Sequence, residues 1–205
     1  MKVAVFGATG GVGHQIVEQA LAAGHTVSAL ARDPARLAIK DGRLMVVEGN
    51  VLDRNAVDQT LAGTDAVFVS LGNTSGNPEM IVSQGTAVII AAMQAAGVQR
   101  LIVISSLGVG DSKDQVPFFF KALIATALRH AFQDKEAQEK LVRASNLDWT
   151  IIRPGGLTDG PPTGSYRAGP DRSIGGQVSR ADVAAFALSQ LTNLEYVGQT
   201  PAIAQ

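Results

Sequence analysis

With 205 residues, 17 Lys and Arg against 18 Asp and Glu, no cysteine and three histidines, the chain excludes several classes at once. It can form no disulfide, thiolate nucleophile or cysteine metal site, which fits a reducing compartment, and His14, His25 and His130 lack metal-ligand spacing. The charge balance and the lack of a basic stripe interleaved with aromatics argue against nucleic acid, no stretch approaches a membrane span, and an apolar start that breaks at Gly7 is too short for a signal peptide. The expectation is a soluble, cytoplasmic chain forming one domain over 1–205, with no Pro/Gly-rich linker to divide it.

Residues 2–6 are a short, β-branched and mostly apolar run, which predicts a strand buried on both faces of a parallel sheet. Helical spacing takes over at 15–21, with Ile16, Val17, Ala20 and Leu21 on one face. The turn between them carries glycines at 7, 10 and 13, a G-x-x-G-x-x-G variant of the dinucleotide fingerprint. Gly7 permits the tight turn, Gly10 lets backbone approach a pyrophosphate, and Gly13 lets helix pack close on strand. The helix N-terminus offers unpaired N–H groups and a positive dipole end to the phosphates.

Gly24 caps the helix and 25–30 reads as the second strand. At the end of this strand a dinucleotide fold meets the adenosine ribose, where an acidic residue suits a free 2′-hydroxyl and an arginine a 2′-phosphate. Arg32 stands there, and Arg36 follows a turn later on a short helix begun by Pro34. The reading is NADP over NAD; the alternative is a solvated Arg32–Asp33 pair. A third strand at 44–48 leads into a helix over 53–61, with Asn50 and Val51 between them where an adenine ring would rest. An N-cap and a core valine explain the same two residues. The fourth strand, 66–70, ends in Leu71-Gly72, again with glycine where a ligand approaches. A polar, flexible loop at 73–78, a buried helix over 80–96 and a fifth strand at 100–105 follow. Strands alternating with helices define a doubly wound parallel α/β sheet, Rossmann-like, with helices on both faces. Ligands bind such sheets beyond the carboxyl ends of the strands, where the glycine turn, Arg32, Asn50, Leu71-Gly72 and Ser105-Ser106 all fall.

These residues carry a resemblance that runs nearly end to end. The stretches at 6–10, 31–33, 49–52, 61–66, 105–106, 152–154 and 157–166 are similar to the atypical short-chain dehydrogenase/reductases, and within them to the NADPH-dependent flavin and biliverdin reductases. The resemblance implies that Gly7, Thr9, Gly10, Gly11 and Val12 bind the pyrophosphate and that Arg32 and Arg36 bind the 2′-phosphate. It implies further that Pro154, Gly155, Gly156 and Leu157 flank the nicotinamide and that Ser106 faces nicotinamide and acceptor. The family's usual Tyr-x-x-x-Lys pair supplies a tyrosine proton donor and a lysine that holds the nicotinamide ribose. Here Lys135 aligns with the lysine, but the tyrosine position is Ala131, and Tyr166 and Tyr196 are far away in sequence. An ordinary alcohol or ketone oxidoreduction is thereby disfavoured. A flavin or linear tetrapyrrole accepts hydride and takes its proton from solvent.

The stretch 116–124 places Phe118, Phe119 and Phe120 beside a loop start, and an apolar aromatic wall suits a planar acceptor; core or dimer contact explains the same rings. His130 reads as a capping or surface residue rather than a substrate donor. Glu136–Lys140 and Glu139–Arg143, each at i,i+4, mark a solvated helix face. A sixth strand at 149–153 puts Trp149 in the core. The Gly/Pro-rich segment 155–176 reads as a lid-like insertion, an active-site loop or small hairpin with Tyr166 near its tip. Ser179 and Asp182 form a capping box that opens a helix through 191, and 200–203 adds a last edge strand. The function this favours is an NADPH-dependent reductase passing hydride to free flavin (FMN, riboflavin) or biliverdin, with flavin a substrate rather than a tightly bound cofactor. Ser106 orients, since no His-Asp base adjoins it. The expected assembly is a monomer or weak homodimer. The alternative is a non-catalytic NADP(H) sensor similar to NmrA-like proteins. A sugar-nucleotide epimerase is discounted, because the chain lacks the tyrosine and an extended C-terminal substrate domain.

Overall fold

The computed structural model describes residues 1–73 and 79–205. The polar loop expected at 73–78 lies, from residue 74 onward, outside the described residues. In chain order the elements are β1 Lys2–Phe6, α1 Gly11–Ala22, β2 Thr26–Ala31, β3 Leu44–Glu48, α2 Arg54–Leu61, β4 Ala66–Val69, α3 Ile81–Ala96 and β5 Arg100–Ile104. Then come α4 Phe118–Ala125, α5 Arg129–Arg143, β6 Asp148–Pro154, β7 Gly156–Thr158, β8 Arg167–Gly169, β9 Gln177–Ser179, α6 Arg180–Ser189 and β10 Ala202–Ala204.

Eight strands form one sheet in the order β3-β2-β1-β4-β5-β6-β10-β8, and β7 pairs with β9 in a separate ribbon. Every pairing is parallel except β10 with β8. Parallel strands need crossovers that cover both faces, which is why β1, β4 and β5 can be almost wholly apolar. On one face α1 and α6 enclose Val5, Ile16, Val17, Phe68, Ile104 and Phe186. On the other, α2, α3 and α5 enclose Phe6, Leu61, Val69, Ile89, Met93 and Leu101. Chain order reverses between β1 and β4, leaving a crevice where α1 and α3 depart to opposite faces.

Three expectations change. The stretch expected as an edge strand, β10, is interior: Ala202 pairs with Arg153 on one side and Gly169 on the other, so β8 forms the edge. The segment 155–176 does not fold back on itself as a hairpin, because β7 pairs with β9 and β8 with β10. Its middle is tied down instead. The Thr163 and Gly164 amides donate to Asp182 Oδ1 at 2.8 and 2.9 Å, while Ser179 Oγ accepts from the Asp182 amide at 2.9 Å and caps α6. Burial alone would raise the Asp182 carboxyl, but the hydrogen bonds from Gly164, Ser179 and Thr163 hold it below the ordinary range. Trp149 is half-buried against the second core rather than enclosed by it. Among the described residues no helix is long and apolar enough to cross a membrane, and none of their His, Asp and Glu side chains cluster as a metal site would.

Candidate active site

A cavity of about 780 Å³ opens along the carboxyl ends of β1 to β6, within the usual range for small-molecule sites. Its floor at the centre is the glycine turn. Gly7 sits at φ +88°, and a Cβ there would collide with the Ser70 carbonyl oxygen at the end of β4. A Cβ at Gly13 would collide with the Gly7 carbonyl oxygen, so Gly13 lies behind the cavity wall and acts in packing α1 onto the turn. The helix starts at Gly11, earlier than the apolar spacing shows, because glycines at its first positions carry no pattern. Thr9, Gly10, Gly11 and Val12 therefore line the cavity at the first turn of α1, whose amides have no intrahelical acceptors.

Arg32 and Arg36 stand together at one end of the cavity. Asp33 shapes that corner: its Oδ1 accepts from the Ala35 amide at 3.1 Å and caps the short 3₁₀ turn Pro34–Arg36. Asn50 and Val51 form the adjoining wall. Asn50 Oδ1 accepts from the Leu52 amide at 3.0 Å, whereas the cap of α2 is Asp53, so Asn50 makes a local turn and is not the N-cap. Val51 is both buried and cavity-lining; it rests on Gly85 of α3, where a Cβ would press against its methyls.

At the opposite end lie Leu71, Gly72, Ser105, Ser106, Lys135 and the run Pro154, Gly155, Gly156 and Leu157. Ser106 Oγ donates to the Leu107 carbonyl at 3.1 Å. Lys135 Nζ donates to the Ile104 carbonyl at 3.1 Å and approaches that of Leu71 at 3.5 Å, bridging the ends of β5 and β4. Burial pushes the Lys135 ammonium down to about 8, against the opposing pull of Glu139 and Asp134.

The face of α5 carrying these groups overturns the expectation of a solvated surface. Glu139 is 2% exposed. Its Oε1 accepts from Ser105 Oγ at 2.7 Å and Arg153 Nε at 3.0 Å, and its Oε2 from Arg153 Nη2 at 2.6 Å. Arg153 continues to Asp111 at 2.6 Å. Burial tends to lower the Arg153 guanidinium, and the Glu139 and Asp111 contacts outweigh it and raise it. Asp134, one turn earlier, accepts from the Val82 and Ser83 amides at 2.9 and 2.8 Å and so caps α3 from outside that helix. The i,i+4 pairing of Glu139 with Arg143 exists at 3.0 Å, but a charge pattern local to one helix carries no sign of partners on β5 and β6. Glu136 and Lys140 keep the expected exposed pairing at 3.4 Å.

The aromatic wall is also differently composed. Phe120 lines the cavity, while Phe118 and Phe119 are 85% and 74% exposed, since consecutive helical residues point about 100° apart. The second ring is Phe132 of α5, edge-on to Phe120 with centroids 6.2 Å apart, and Leu128 completes the wall. His130 is exposed and not part of the lining. Tyr166 packs edge-on against Phe186 at 6.0 Å, away from the cavity, and Phe186 meets Tyr196 at 5.8 Å. A cavity residue the sequence offers no signal for is Arg180, which arrives with the start of α6.

The strand order places these groups as one row: Arg32, Arg36, Asn50 and Val51 beyond β2 and β3, the glycine turn beyond β1, and Ser106, Lys135 and Pro154 beyond β5 and β6. A cationic end, a bare amide-rich centre and a polar-to-aromatic end fit the three parts of a dinucleotide. The chain belongs to the NAD(P)H-binding family, whose model matches residues 7–194. It is 31% identical to a (4-alkanoyl-5-oxo-2,5-dihydrofuran-3-yl)methyl phosphate reductase of Streptomyces griseus over 209 residues, covering 98% of this chain and 67% of that protein. It is 33% identical to the uncharacterised chloroplastic protein At2g34460 of Arabidopsis thaliana over 208 residues, 95% of this chain and 73% of that protein. Among solved structures, ChuY, an anaerobillin reductase of Escherichia coli O157:H7, matches with a TM-score of 0.83 and 28% identity over 99% of this chain and 96% of that one. The family is thus one of Rossmann-fold oxidoreductases with reductases among its members, in keeping with the resemblance to atypical short-chain dehydrogenase/reductases.

Proposed function

We propose that the protein is an NADPH-dependent reductase that delivers hydride to a planar conjugated acceptor, free flavin or biliverdin, held against the Phe120–Phe132 wall. The observation that carries this reading is the pairing of an aromatic acceptor wall with a cavity in which, among the described residues, no tyrosine takes part. Reduction of a ketone needs a proton donor at the oxygen. Reduction of a flavin nitrogen or a tetrapyrrole bridging carbon can draw its proton from solvent. The bound dinucleotide supplies the hydride; the protein supplies position. Arg32 and Arg36 take the 2′-phosphate, the first turn of α1 takes the pyrophosphate, and Lys135 holds the nicotinamide ribose. Ser106 and the run Pro154–Leu157 set the plane of the ring, and Phe120, Leu128 and Phe132 give one face of the acceptor an apolar wall, leaving its edge open to the solvent that supplies the proton. The Streptomyces relative and the Escherichia structural neighbour are both named as reductases, which supports a reductase here.

The test is NADPH consumption by the purified protein with FMN, riboflavin or biliverdin, with NADH in parallel and controls without protein. Saturable, acceptor-dependent oxidation that prefers NADPH is expected. Tight NADPH binding with no oxidation by any of the three would replace the reductase with a dinucleotide sensor.

A further inference from the structure

Arg180 crosses the glycine turn from the opposite wall. A Cβ at Gly11 would stand 2.5 Å from Arg180 Cδ and 2.6 Å from Nε, so the absence of a side chain at 11 makes room for an arginine. The same guanidinium borders a second cavity of about 380 Å³, bounded by Thr9, Gly10 and His14 on the α1 side and by Asp159 and Gly160 on the other. It therefore stands as the partition between two cavities, over the first turn of α1. Its backbone is fixed: Arg180 follows the cap Ser179, and α6 packs along α1. Its side chain is not, being 30% exposed, with one polar partner among the described residues, Nη1 to Asp159 Oδ1 at 2.7 Å, and with Asp159 94% exposed.

Resting on the reading of the cavity as an NADPH site, we infer that Arg180 is a pyrophosphate-binding residue and that Asp159 is the anion it leaves when the dinucleotide enters. Two phosphate charges must be met at the turn. The run from Phe6 to Gly13 contains no Lys or Arg, and the α1 dipole amounts to only about half a positive charge. Arg180 supplies the remainder, with a planar fork of donors matched to phosphate oxygens. A surface ion pair such as Arg180–Asp159 is worth little against solvent, so a phosphate already held by backbone amides displaces the carboxylate. The second cavity gives the freed Asp159 and the shifting side chain space to move.

The experiment compares the dissociation constants of NADPH and of 2′-AMP, which carries the 2′-phosphate but no pyrophosphate, for the wild type, Arg180→Ala, Arg180→Lys and Arg32→Ala, by titration calorimetry. Arg180→Ala is expected to weaken NADPH about 10- to 100-fold, as for loss of a charged hydrogen bond, and to leave 2′-AMP within about twofold. Arg180→Lys should fall between, since it keeps charge without the fork, and Arg32→Ala should weaken both ligands. Asp159→Asn, by removing the competitor, should bind NADPH at least as tightly as the wild type. Wild-type NADPH affinity in Arg180→Ala, or an equal loss for 2′-AMP, would overturn the inference. Failure of the wild type to bind either ligand would instead sink the dinucleotide reading on which it rests.

Discussion

Arg153, at the end of β6, donates to both carboxylate oxygens of Glu139 on α5, Nε at 3.0 Å and Nη2 at 2.6 Å, with both side chains about 3% exposed. Through Ser105 the same carboxylate reaches the end of β5, so three elements that wall the Ser106–Lys135 end of the cavity are tied at one point. Glu139→Ala leaves a buried guanidinium with half its partners and should cost about 3–5 kcal/mol of stability in chemical denaturation. Glu139→Leu combined with Arg153→Met removes both charges and should recover most of that loss. A double variant no more stable than Glu139→Ala would count against the pair as the source.

Arg32→Ala should raise the NADPH dissociation constant about 10- to 100-fold and that of NADH by no more than about twofold, because only the former carries the 2′-phosphate that Arg32 is proposed to bind. Fluorescence titration with both dinucleotides checks this. Equal losses would remove Arg32 from the 2′-phosphate.

Lys135 is charged below about pH 8 and neutral above it. If its ammonium holds the nicotinamide ribose, NADPH affinity falls as pH rises through 8, and Lys135→Met, weaker throughout, shows no such step. Stability moves the other way. The folded pKa lies below the ordinary 10.5, so the unfolded chain binds the proton more tightly between about 8 and 10.5, and wild-type stability should rise across that window relative to Lys135→Met. The rise is bounded at about 3 kcal/mol, the equivalent of that shift. Denaturation at pH 7.5 and 10 distinguishes the two.

Ser106→Ala removes one neutral hydrogen-bonding group from the cavity end proposed to hold the acceptor. For an orienting role, turnover with flavin should fall about 2- to 10-fold with NADPH binding unchanged. Complete loss of turnover with binding intact would make Ser106 a participant in the chemistry rather than a guide.

Much of this molecule is legible in the amino-acid order alone. The strands at 2–6, 44–48 and 100–105, the last ending at Ile104 in the structure, and the helices between them follow from the pattern of apolar residues, the glycine turn follows from its fixed spacing, and Arg32 from its place after the second strand. Those signals are local, and the parallel topology then sends all of them to one edge of the sheet. Tertiary structure decided what depends on partners distant in sequence. Glu139 reads as a surface charge until Arg153 and Ser105 arrive from β6 and β5. Asp134 reads as one more acid on a polar helix until α3 presents the bare amides of Val82 and Ser83. Three consecutive phenylalanines look equivalent until helix rotation turns Phe120 inward and leaves its neighbours in water. Arg180 reaches the cavity only because α6 packs on α1. Burial of a charge is worth its desolvation cost only where opposite charge and hydrogen bonds converge from several elements, and that convergence is a property of the fold, not of any one stretch of chain.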